Sequence, residues 1–155
     1  MIQGMNVLRD IGVESTRPYH LALLADTYGK AGQAAEGLPL LAEALKLTNN
    51  TGERFYEAEL YRLKGTLTLQ SKVQSLEFKV QEAEECFHKA IEVTRKQLAK
   101  SLELRAATSL ARLWLHQGKK IEAYKLLSEV YNWFTEGFDT KDLQEAKALL
   151  EELSA

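Results

Sequence analysis

The sequence predicts an all-α fold built of helical hairpins packed side by side. About three hairpins are expected, with a half-repeat before them and a capping helix after. Three observations predict this. Roughly half of the 155 residues are Ala, Glu, Lys, Leu or Arg, the usage of a helix-dominated chain. Only 10 residues are Val or Ile, too few for a large sheet. Apolar residues recur at helical spacing, and one set of spacings is written more than once along the chain. The length fits a single helical-repeat domain over residues 1–155.

The elements follow in order. A helix over about 2–11, ending near Gly12, reads as the second half of a truncated repeat (1–12). Pro18 pre-sets the entry to a helix that runs to Gly29. A partner helix over about 35–48 ends at the turn signal Asn49-Asn50-Thr51-Gly52, and the two make repeat 1 (18–48). Long helices over about 53–71 and 77–98 make an extended repeat 2 (53–98). Ser101 is the expected N-cap of a helix to Gln117, which pairs with 120–134 as repeat 3 (101–134). Thr140 is placed to cap a last helix over 141–153, with Leu143, Ala146, Leu149, Leu150 and Leu153 on one face and Glu145, Lys147, Glu151 and Glu152 on the other.

The recurrence is in register. From Ala25, steps of three, seven, twelve, sixteen and nineteen residues reach Tyr28, Gly32, Gly37, Leu41 and Ala44. From Ala111 the same steps reach Trp114, Gly118, Ala123, Leu127 and Val130. Small residues at both helix crossings let backbones approach, and larger neighbours interlock as ridges in grooves. Gly32 and Gly118 fall just past a helix end, where a left-handed backbone costs glycine nothing. The middle copy keeps Ala83, Phe87 and Ala90 but is irregular upstream. Gly65 serves as its small packing residue, or the stripe Tyr56, Leu60, Leu63, Leu67 sets a register one residue earlier. Taking Gly65, the step to Ala83 is 18 residues instead of twelve. Six residues around 71–76 are therefore extra, either as loop or as added helix. Pro39 also breaks the pattern, in the fifth or sixth position of its helix, and predicts a late start near Glu36 or a kink.

Charge and motifs narrow the function classes. A formal charge of −2, from 20 basic and 22 acidic residues, gives no reason to expect a nucleic-acid partner. No run of ~18 apolar residues suggests a membrane span, and no signal-peptide pattern opens the chain. The lone Cys86 fits a reducing compartment, so a cytoplasmic location is expected. His20, His88 and His116 lie on different helices, and Cys86 and His88, two apart, point in different directions, so no metal site is expected. Neither phosphate-binding nor nucleophile-elbow nor zinc-protease motifs occur, and the neighbouring acid pairs belong to solvated helix faces. Neither a catalytic residue nor a cofactor is predicted. Trp133 and Phe134 read as a hinge that pins the cap.

The two in-register copies resemble the tetratricopeptide repeat, whose small, aromatic and glycine positions share these spacings. The resemblance implies a right-handed solenoid with first helices lining a concave face. By its pattern, the groove-facing positions are Tyr19 and Asp26 in the first copy, Arg62 in the second, and Arg105, Thr108, Arg112 and Leu115 in the third. The arginines suit carboxylates of a protein or peptide segment.

Longer stretches carry a closer likeness: Gly37 to Leu45, Ala58 to Gly65, Ala83 to Ala90, Lys100 to Leu113 and Trp133 to Leu143. Together they resemble the C-terminal helical-repeat region of large bacterial signalling proteins that join a cyclase or other output domain to a predicted ATPase core. That resemblance implies a fragment of a larger protein, and a non-catalytic regulatory module whose partner is a protein segment or its own ATPase or cyclase domains. A homodimer formed through Val7, Leu8 and Ile11 of the open half-repeat is the other expectation.

Overall fold

The computed structural model describes residues 16–52 and 54–155. These form seven α-helices and no strand: α1 (Arg17–Lys30), α2 (Ala34–Thr51), α3 (Glu57–Gln70), α4 (Leu76–Gln97), α5 (Lys100–His116), α6 (Lys120–Tyr131) and α7 (Lys141–Ser154). The half-repeat read over 1–12, with Val7, Leu8 and Ile11, lies outside the described residues.

Local chemistry sets most of the boundaries. Pro18 sits in the first turn of α1, where its missing N–H leaves no intrahelical bond unmade. Gly32 and Gly118 take φ of 76° and 78°, the left-handed turn expected of them. The Asn49-Asn50-Thr51 segment stays helical instead of turning, and α2 ends one residue later at Gly52, with φ 74°. Ser75 caps α4, its Oγ accepting from the Phe78 amide at 3.3 Å. Ser101 does not cap α5, which begins one residue earlier at Lys100. The carboxylate of Glu103 sits in that first turn instead, paired with Lys100 at 3.0 Å and Arg95 at 3.1 Å. Pro39 lies inside α2, which starts at Ala34 and not late.

Each helix packs on the next, and α1 also packs on α3, α3 on α5, and α5 on α7, so the odd-numbered helices form one continuous row. Three apolar clusters hold them. Leu21, Ala25, Leu41, Ala44, Leu60 and Leu67 join α1, α2 and α3. Phe87, Ala90, Ile91, Ala106 and Leu110 join α4 to α5. Leu104, Ala107, Ala111, Leu127, Leu143 and Leu149 join α5, α6 and α7. Trp114 belongs to both of the last two clusters and donates its indole N–H to Glu84 at 3.0 Å. At about 1.5–3 kcal/mol for each fully buried leucine, this packing dominates the stability of the row.

Small residues bring the helices together. The backbone of Gly37 rests on Ala25, where an added Cβ would stand 3.0 Å from the Ala25 carbonyl oxygen. A Cβ on Gly65 would stand 2.6 Å from the Phe87 ring, which makes Gly65 the small packing residue of the middle copy. The six extra residues divide between a loop over 71–75 and an added turn at the start of α4.

Candidate functional site

The row of odd-numbered helices presents a polar cavity, of about 200 Å³, along its surface. Asp26 and Lys30 come from α1, Arg62 from α3, Arg105, Thr108, Ser109 and Arg112 from α5, and Lys141, Asp142 and Glu145 from α7. Five of the seven residues predicted from sequence therefore meet here: Asp26, Arg62, Arg105, Thr108 and Arg112. Tyr19 does not line the cavity. Its ring packs edge-on against Tyr56, at 5.1 Å between centroids. Leu115 is half-buried against the α5–α6–α7 cluster and also lies outside it.

Two of the lining arginines, Arg62 and Arg105, belong to an ionic lattice centred on Glu59, which is 2% exposed and does not itself line the cavity. Arg62 grips this carboxylate with both arms, Nε to Oε2 at 2.9 Å and Nη2 to Oε1 at 2.6 Å. Arg105 reaches the same Oε1 from α5 at 2.8 Å. One buried carboxylate thus fixes two guanidiniums on two helices. Burial opposes the charge of Arg62, but the hydrogen bonds and charge of Glu59 outweigh it and hold the guanidinium above its ordinary pKa. Tyr56, beside this lattice, has its phenol pushed up by burial and then by the Glu59 charge.

Toward solvent the pairing loosens. Arg105 meets Asp142 of α7 only at 3.7 Å, and Arg112 meets Glu145 only at 3.7 Å. The Arg112 side chain is 49% exposed. Asp26 pairs with Lys30 at 3.0 Å. The cavity wall carries five cationic side chains and three anionic ones. Thr108 contributes shape and not a free hydroxyl, because its Oγ1 donates to the Leu104 carbonyl at 2.7 Å. A carboxylate entering from solvent would meet Arg112 and the outer edge of Arg105.

Glu59 escaped the sequence reading, although the signal was present. It stands six residues before Gly65, as Tyr19 stands six before Ala25 and Arg105 six before Ala111. Asp142 and Glu145 were missed because α7 reads as a polar-backed cap, and only its packing on α5 turns those carboxylates toward the arginines.

A larger hollow, about 580 Å³, lies at the far end between Ser101, Leu104, Phe134, Gly137 and Leu143. Phe134 is half-buried against the α5–α6–α7 cluster there, while Trp133, expected with it as a hinge, is more than half exposed with the Lys100 ammonium 5.8 Å from its ring centre. Among the described residues, no three His, Cys, Asp or Glu side chains converge as metal ligands, and no helix is long and apolar enough to cross a membrane.

No protein-family model matches the chain, and no curated protein matches it in sequence.

Proposed function

We propose that the chain is a non-catalytic protein-interaction module that binds an acidic peptide segment through the face lined by α1, α3, α5 and α7. The helices are read as tetratricopeptide-like hairpins in a solenoid, with units 18–48, 53–98 and 101–134 and a cap over 140–153. In-register spacing and the alternate packing of odd-numbered helices support that reading. The observation that carries the function is the convergence of Arg62, Arg105 and Arg112, from two helices, on one cavity whose five cationic side chains exceed by one the four carboxylates paired with them, Glu59 included. Arg62 and Arg105 are pre-ordered by Glu59, so little side-chain entropy is lost when a carboxylate arrives at the outer edge. The sequence likeness to repeat regions of bacterial ATPase and cyclase signalling proteins adds a partner class: an acidic segment of the output or ATPase core in a longer chain, bound in a cytoplasmic setting.

The test is selection of acidic peptides from a displayed library on the 155-residue chain, followed by affinity measurement on variants. Arg112→Ala, and Arg105→Ala together with it, should weaken binding about tenfold or more, since hydrogen bonds to charged groups contribute about 1.5–3 kcal/mol. Raised salt should weaken the parent protein's binding as well. Unaltered affinity in the double variant discards the groove assignment.

A further inference from the structure

The six residues that break the middle repeat build something the other copies lack. They place an extra turn at the start of α4 and hold it firmly. Ser75 caps the turn, and Lys79 Nζ donates to the Ser71 carbonyl across the loop at 2.6 Å. The first residue of that turn, Leu76, is 72% exposed. It forms the rim of a further cavity, about 390 Å³ and mainly apolar. Phe87 and Leu113 make its buried floor, and Leu69 and Val80 its half-buried walls.

This socket adjoins the charged cavity. Ser109 and Arg112 line both. Along α5, the charged cavity takes Arg105, Thr108, Ser109 and Arg112, while the socket takes Ser109, Arg112, Leu113 and His116. The two sets are offset by about four residues, or roughly 6 Å at 1.5 Å per residue, and by about 10 Å from the Arg105 end. An extended peptide covers those spans with two to three residues at about 3.3 Å each.

We infer that the occupant of this surface is an extended peptide carrying a bulky aliphatic side chain two or three residues from an acidic one. The aliphatic group fills the socket behind Leu76, and the carboxylate meets Arg112 and Arg105. The inference rests on the acidic-peptide reading above and adds the apolar anchor and its spacing. The cationic wall next to an apolar floor, with Arg112 shared between them, selects this mixed chemistry over a purely apolar partner.

The probes are capped octapeptides of Gly and Ser that contain one Asp and one Leu three positions apart, in both orders. Matched peptides carry Gly for Leu, or Asn for Asp. Binding to the full 155-residue chain is followed by amide chemical shifts. In one order, the Asp–Leu peptide should bind about tenfold tighter than its Gly counterpart, as expected for partial burial of one leucine. Leu76→Ser should erase that gain and leave binding of the Asp-only peptide unchanged, while Leu76→Met should keep it. Equal affinity of the Asp–Leu and Asp–Gly peptides overturns the anchor and leaves the acidic reading standing. So does a gain that survives Leu76→Ser. An anchor gain that is the same with Asn in place of Asp overturns the acidic half instead. A dimer seen by sedimentation and lost in Leu76→Ser would make a second copy the occupant and also overturn the proposal.

Discussion

Gly65 has no side chain to spare because the ring of Phe87 fills the space where a Cβ would go, 2.6 Å away. Phe87 is fully buried and cannot swing out without opening the α4–α5 cluster. Gly65→Ala should therefore destabilise the protein by about 1–3 kcal/mol through overpacking, measured by urea melts. An unchanged midpoint would show that α3 and α4 do not meet at this glycine. Three other residues set the response to alkali. Burial raises the Cys86 thiol and the phenols of Tyr56 and Tyr61 above their ordinary values. A raised pKa means that the folded state holds its proton longer than the unfolded state. The stabilisation is whole below the ordinary thiol range and is lost as pH climbs through the raised values. Melting temperature should be flat near neutrality and fall progressively from about pH 8.5 upward, where ordinary thiols and then phenols ionise. A melting temperature that rises over that range contradicts the burial of these groups.

Among the elements, α2 carries a built-in cost. Pro39 is exposed and lies inside the helix, so the Ala35 carbonyl loses its partner without any packing gained in return. Pro39→Ala should stabilise the protein, by up to about 3 kcal/mol, in thermal unfolding. A lower melting temperature would mean that the proline fixes a bend the packing requires. Sequence foresaw the conflict at Pro39 as a late start near Glu36 or a kink, and the late start does not occur. The Leu41 and Ala44 stripe wins instead, because burying it against α1 and α3 needs Gly37 helical and seated on Ala25. The end of α4 falls within one residue of the expected position 98, but the conformation of its cap was hidden. Leu98 takes a left-handed φ of 56°, a position that sequence rules reserve for glycine. By contrast, Gly32 and Gly118 were legible, since their spacing after Tyr28 and Trp114 leaves only a turn for them to occupy.

Taken as a whole, the molecule is a set of helices whose even members back a row of odd ones, and the row gathers charge that is scattered in sequence. Asp26, Arg62, Arg105 and Arg112 were legible as a set through the resemblance to the tetratricopeptide repeat, whose pattern implies that they share one face. Glu59 was legible in position only, and the α7 carboxylates were not legible. Their part depends on which arginine each one meets across helices, and single-copy spacing says nothing of that. The socket at Leu76 was invisible for a related reason: an insertion shows where a repeat is broken but not what the extra turn encloses.

The proposal can be tested by titrating the isotopically labelled chain with one of the selected acidic peptides and mapping the amides that shift. Perturbations should concentrate on α1, α3, α5 and α7, around Asp26, Arg62, Arg105, Arg112 and Glu145, and fade as salt is raised. Shifts confined to the outward sides of α2, α4 and α6, or the same shifts in the Arg105→Ala/Arg112→Ala protein, would contradict it.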